Sequence, residues 1–186
     1  MANSALLVMD VQRSIVDRFE DGGGYLPRLG EAVDAARTAG LPVIYVVVGF
    51  RAGHPEISAR NKSFSAAARS GAFTESDPGS EIHPEVAPRP GDVVVTKRRV
   101  SAFAGSDLDL VLRAGEIDSL VLAGIATSGV VLSTVRQAAD LDFGLTVLAD
   151  GCLDADLEVH RVLTEKVFPR QAEVLSVAQW TKSLGA

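Results

Sequence analysis

Six short runs of Val, Leu and Ile, without polar–apolar alternation, set the tightest limit on how this chain can fold. They are ALLVMDV (5–11), PVIYVVV (42–48), DVVVT (92–96), SLVLAGI (119–125), LTVLAD (145–150) and AEVLS (172–176). A strand with one face in water alternates. A run that is apolar at successive positions is buried on both faces, as inside a parallel sheet. Between the runs lie helical patterns. Residues 26–39 place Leu29, Val33 and Ala36 on one face and stop at Gly40, and residues 107–114 repeat the form ahead of Gly115. Further helices are predicted over 127–141, 157–167 and 177–184, the last turning Trp180 inward. Strand–helix alternation over the whole length predicts a three-layer α/β/α domain with right-handed crossovers.

The exception is the stretch from Gly49 to Pro90, where Gly, Pro, Ser and charged residues replace strand signals. An excursion of that length inside a compact domain is expected to be a lid or binding loop. With 186 residues and neither repeat nor linker, the expectation is one domain, 1–186, with 49–90 as its lid.

Composition narrows the function classes. Hydrophobic residues make up 47% and charged residues 23%, which suits a folded domain rather than a disordered one. A formal net charge of −6 argues against nucleic acid or an anionic membrane as partner. No stretch approaches the roughly 20 apolar residues of a membrane span. The opening MANSALLVMDVQ lacks the basic start of a signal peptide, so a cytoplasmic location is expected. A single cysteine excludes an internal disulfide framework and a thiolate-rich metal site. His54, His83 and His160 have no acidic or cysteine companions at metal-ligand spacing, so neither metal nor cofactor is expected.

In doubly wound sheets, ligands bind beyond the carboxyl ends of the strands, near the switch in strand order. Asp10 closes the first run; there it is either a partly desolvated proton-transfer group or a cap for the next helix. Lys97 ends the third run. In a sheet ordered 3-2-1-4-5-6 it lies two strand spacings from Asp10, roughly 10 Å at the backbone, although a snorkelling surface lysine fits the position too. The turn 124–130 places backbone amides at a helix N-terminus, where Thr127 or Ser128 can act as cap. A Thr or Ser nucleophile needs an activating base, and no histidine motif supplies one. Cys152, flanked by Asp150, Asp154 and Asp156, reads as buried or incidental rather than as a thiolate.

Taken in order, ALLVMDVQ, GDVVVTKRRVSAFAGSDLDLVLR, LVLAGIATSGVVLSTVRQAAD and LTVLADGCLDADLEVH resemble the isochorismatase-like hydrolase superfamily, which includes the nicotinamidase-related cysteine hydrolases. The resemblance spans nearly the full chain. It implies a Rossmann-like, six-stranded parallel sheet in the order 3-2-1-4-5-6, and a homo-oligomer, dimer or tetramer. It also implies a catalytic Asp, Lys and Cys. Asp10 and Lys97 match the first two, while the cysteine position falls on Val130. By the same resemblance, the Ile125–Ala126 peptide is cis, the amides of Ala126 and Val130 are oxyanion-type donors beside Thr127, and Cys152 is not the nucleophile. The metal site of nicotinamidases, which follows the second strand, has no counterpart in Gly49–His54.

Isochorismatases act without the cysteine, using the aspartate as an acid on a vinyl ether. The resemblance therefore implies a cysteine-independent hydrolase of a small, anionic metabolite, with Asp10 as acid/base and Lys97 as its electrostatic partner. Arg51, Lys97 and Arg98 are expected to bind the substrate's charge, with Asn61 and Phe64 lining the lid. Two alternatives stand beside this: an amide or imide hydrolase with an unrecognised nucleophile such as Ser128, and an inactive family member that binds a small ligand.

Overall fold

The computed structural model describes residues 3–19 and 24–185. Its strands are β1 (Ser4–Met9), β2 (Val43–Val48), β3 (Val93–Lys97), β4 (Ser119–Ile125), β5 (Gly144–Leu153) and β6 (Glu173–Leu175). They form one parallel sheet in the order β3-β2-β1-β4-β5-β6, as the unalternated apolar runs require. The helices are α1 (Arg13–Val16), α2 (Tyr25–Thr38), α3 (Ser65–Ser70), α4 (Leu108–Ala114), α5 (Leu132–Asp140), α6 (Leu157–Val162) and α7 (Val177–Leu184). Among the described residues, no helix is long and apolar enough to cross a membrane.

The two-residue period of a strand sends neighbouring side chains to opposite faces, so each central strand feeds two cores. From β1, Ala5, Leu7 and Met9 join Leu108 and Leu112 of α4 and Val135 of α5. Leu6 and Val8 join Leu29, Val33 and Ala36 of α2 and Trp180 of α7 on the other side. Each fully buried aliphatic side chain contributes roughly 1.5–3 kcal/mol, so the unalternated runs are the main stabilising payload of the fold.

The strand ends depart from the sequence pattern in ways that shape the site. β1 stops at Met9, not Val11, because Asp10 takes a left-handed backbone conformation (φ 56°). β5 runs past Asp150 to Leu153 through a register shift against β4, which sets Cys152 opposite Gly124. Cys152 therefore lies inside the sheet rather than at its edge, and burial pushes its thiol up to about 12. The helix expected from 127 begins as a wide turn, Thr127–Val131, irregular at Gly129, and becomes regular only in α5. The helix expected over 157–167 likewise widens after Val162.

The segment between β2 and β3 holds α3 and two short 3₁₀ turns, Pro78–Ser80 and Pro84–Val86. A buried Gln12 ties it to the sheet. Its amide nitrogen donates to Val48 O (3.0 Å) and Ser80 O (2.8 Å), and its oxygen accepts from Val48 N (2.9 Å). Beneath the segment, Val48, Phe50 and Phe73 make a small core of their own.

Gly124 is where β1 and β4 come closest at the cavity end. Its φ is 150°, and a Cβ there would lie 2.2 Å from the Met9 carbonyl oxygen. Backbone cannot step aside as a flexible side chain can, so Gly124→Ala is expected to cost at least about 3 kcal/mol. Urea denaturation of the variant measures this directly, and a loss under about 1 kcal/mol would show that the two strand ends separate easily.

Candidate active site

The carboxyl ends of β1 to β4 open into a cavity of about 860 Å³. It lies at the switch point between β1 and β4, from which the strand order runs in opposite directions. Asp10, Lys97 and the backbone of 125–130 form its floor, and Phe64, Ala67 and Phe73 from the β2–β3 segment form its far wall. A groove of similar size, about 830 Å³, runs between α2 and α7 on the outer surface, and no strand end reaches it.

Asp10 and Lys97 meet although a whole strand separates them. The register pairs Val48 of β2 with Lys97, so the lysine emerges at the level of the β1 end and reaches across. Its Nζ lies 2.9 Å from Asp10 Oδ2 and donates to Arg99 O at 2.9 Å. Both residues are buried, and Asp10 Oδ1 has no hydrogen-bond partner. Burial raises the Asp10 pKa above the ordinary carboxylate value, against the pull of the Lys97 charge and its hydrogen bond. The Val48 amide adds a weaker pull, since it is already engaged by Gln12 at 2.9 Å. The result is a carboxyl group that holds its proton more tightly than usual, with one oxygen free.

The turn after β4 carries a cis Ile125–Ala126 peptide. Ala126, Ser128, Gly129 and Val130 line the cavity, and Val130 is buried. Thr127 is fully buried and points away from the cavity, sharing a 2.8 Å hydrogen bond with His160 Nδ1 of α6. Burial lowers the imidazole pKa, against the raising influence of Asp154. Asp154 holds the same turn from beneath, its Oδ2 accepting the Ser128 amide at 2.7 Å. Burial alone would raise the Asp154 pKa, but hydrogen bonds from Ser128 and from the Asp156 and Ala155 amides bring it below the ordinary value. Ser128 thus lines the cavity, while the His160 imidazole is committed to Thr127.

The other residues expected at the site divide. Phe64 lines the cavity, packed edge-on against Phe50 at 5.4 Å. Arg51, Asn61 and Arg98 are not part of the wall. Arg51 Nη1 pairs with Glu56 at 2.6 Å, and Arg98 lies 3.6 Å from the same carboxylate while donating to Gly49 O. Asn61 accepts the Phe64 amide, a local turn contact. The sequence reading passed over Arg18, which does line the cavity, and over His160 and Asp154, whose partners lie 33 and 26 residues away. Only a three-dimensional arrangement brings such pairs together. Among the described residues, no cluster of three or more His, Cys, Asp or Glu side chains is arranged to hold a metal ion.

A six-stranded parallel sheet of this order, with a cavity at its switch point, is a doubly wound α/β fold of the kind that binds ligands beyond its strand ends. Residues 4–179 match the isochorismatase domain, and the chain belongs to the isochorismatase family of hydrolases. It is 34% identical to the uncharacterized isochorismatase family protein YwoC of Bacillus subtilis, over 90% of this chain and 86% of that protein. It is 31% identical to the ureidoacrylate amidohydrolase RutB of Stutzerimonas stutzeri, over 100% of this chain and 81% of that one. Among solved structures it is similar to N-carbamoylsarcosine amidase from Thermoplasma acidophilum, with a TM-score of 0.77, 27% identity and coverage of 95% and 97%.

The grip of Asp154 on the turn has a pH signature. A carboxylate whose folded-state pKa is lowered contributes stability above its unfolded pKa and loses it as pH falls through the folded value. Asp154→Ala is expected to be about 1–3 kcal/mol less stable than wild type at pH 7, with the gap narrowing below about pH 4. Urea titrations at pH 7, 5 and 3.5 check this, and a gap independent of pH would rule out the charged clamp.

Proposed function

We propose that this chain hydrolyses a small anionic molecule by proton transfer at Asp10, with no covalent intermediate. The observation that carries the reading is Asp10 Oδ1, a buried carboxyl oxygen without a hydrogen-bond partner, in a cavity that Val130 of the turn also lines. We take Val130 to stand where cysteine hydrolases of the family carry their nucleophile. A valine offers neither an electron pair nor a proton, which leaves water as the attacking group. The β2–β3 segment, which supplies Phe64 and Phe73 to the wall, serves as the lid in this reading.

On a vinyl ether, the protonated Asp10 carboxyl gives its proton to the alkene carbon, producing an oxocarbenium ion. Water adds to that ion, its proton returns to Asp10, and the hemiketal breaks its C–O bond to release an alcohol and a carbonyl compound. Lys97, 2.9 Å away, balances the carboxylate that exists between the two transfers. The raised pKa of Asp10 supports the acid role, because more of the protonated form is present near neutral pH.

The named activities of two relatives favour a second reading. Ureidoacrylate and N-carbamoylsarcosine both carry a carbamoyl nitrogen and a carboxylate, so a carbamoyl amide is the competing substrate class. There an ionised Asp10 takes a proton from the attacking water, and the amides of Ala126 and Val130 receive the developing oxyanion. The two readings predict opposite pH limbs. Acid catalysis loses kcat/KM as pH rises through the elevated Asp10 pKa, whereas base catalysis gains it.

A pH–rate profile on isochorismate and on 3-ureidoacrylate, with Asp10→Asn as control, separates the two. The expected result is turnover of the vinyl ether with a falling limb, and a loss of at least about 100-fold in Asp10→Asn. Full activity in Asp10→Asn would overturn both readings. Val130→Cys tests the other half of the assignment. It is expected to gain slow amidase activity on 3-ureidoacrylate through a thiol adduct visible by mass spectrometry, and a thiol that alkylates readily but never forms the adduct would argue against the position.

A further inference from the structure

Among the described residues, two cations line the cavity, and they differ in what they face. Lys97 is matched by Asp10 at 2.9 Å. Arg18 faces no carboxylate among the described residues. Its guanidinium carbon lies 5.9 Å from the centroid of the Phe73 ring, itself buried in the wall of the same cavity. The neighbouring arginines are spent differently: Arg13 pairs with Glu81, and Arg51 and Arg98 share Glu56. Among the described residues, the cavity is thus lined by one acid and two bases, an excess of positive charge whether or not Asp10 is ionised.

We infer that Arg18 is the specificity-determining residue of this site, and that it binds a carboxylate of the substrate while the reacting end lies at Asp10. The chemistry of the side chain fits that task. A guanidinium presents a planar fork of donors that matches both oxygens of a carboxylate, which an ammonium cannot do. Stacking on Phe73 holds the fork in place before the ligand arrives and leaves its N–H edges free to bond. Arg18 and Phe73 reach the cavity from different segments, one after α1 and the other after α3, so the packing of the β2–β3 segment against the site also sets the cation's position. The substrate class follows: a small carboxylate, with its labile bond held between Arg18 and Asp10. This inference rests on the proposed reading that the cavity is the hydrolytic site, and it adds the group that selects the substrate.

The test uses 3-ureidoacrylate as probe and 3-ureidoacrylamide, its neutral counterpart, as control. Binding is measured by titration calorimetry or ligand-observed NMR on wild type, Arg18→Gln and Arg18→Lys, and turnover is measured separately. The carboxylate is expected to bind wild type, to bind Arg18→Gln at least about tenfold more weakly, and to be partly rescued in Arg18→Lys. The carboxamide should bind all three proteins alike. Where turnover is measurable, the loss falls on KM and leaves kcat within about threefold. Failure of wild type to bind the carboxylate, or equal losses on the two probes, overturns the role of Arg18. Discrimination by charge without turnover of 3-ureidoacrylate leaves Arg18 in place and counts only against the carbamoyl-amide reading, while absence of turnover on isochorismate as well sinks the hydrolytic reading.

Discussion

The buried pair of Asp10 and Lys97 is the constraint around which the rest of the molecule is arranged. Moving two charges out of water costs several kcal/mol per ion, and mutual attraction repays this only with good geometry. Here the geometry is supplied by strand order. β3 lies two places from β1, Val48 of β2 is in register with Lys97, and the lysine stem spans the gap to reach Oδ2 at 2.9 Å. The backbone contributes as well: Asp10 leaves the strand in a left-handed conformation, with its own amide still bonded to Val46 O at 2.8 Å. An arrangement that costs this much and leaves Oδ1 unpaired is a poor device for stability. Under the proposed reading its purpose is to hold one carboxyl oxygen at a fixed point in the cavity with its proton affinity raised.

The same economy governs the turn after β4. Its position is fixed by contacts that do not involve the cavity-facing side chain at residue 130. Gly124 abuts the Met9 carbonyl, Asp154 accepts the Ser128 amide, and His160 holds the Thr127 hydroxyl from α6. The turn is thus braced from β1, from the end of β5 and from α6. Under the proposed reading, a turn braced this way keeps its geometry while residue 130 changes, so a valine there would alter the chemistry available without altering the shape of the site.

How much of this was legible in the sequence follows from the range of each interaction. The six strands announced themselves because burial on both faces leaves a local signature, and a parallel sheet with ordered crossovers made the meeting of Asp10 and Lys97 foreseeable. The resemblance of ordered segments supplied the turn. What escaped were the details set by partners far along the chain. The fifth run reads as ending at Asp150, and the register shift that carries β5 on to Leu153, with Cys152 inside it, has no local signal. Arg51 and Arg98 looked like anion binders because both are basic and near strand ends. Their shared neighbour, Glu56, is an unremarked acid in a polar loop, and it pulls both out of that role.

That local neutralisation explains how a chain with a net charge of −6 can present a positive interior to a small anion. The number of basic residues near a pocket says little, because each is worth only what its acids leave uncompensated. Glu56 compensates two arginines beside the β2–β3 segment, and Asp10 compensates Lys97 on the floor. Arg18 is the lining cation that faces an aromatic ring instead of a carboxylate among the described residues, so the excess field is concentrated at one point. Under the proposed reading, a net negative chain discourages large polyanions while a small carboxylate at the cavity meets this uncompensated charge. Under the same reading, charge discrimination in this fold is thus a property of which acid sits beside which base, and the sheet order and the anchoring by Gln12 decide that.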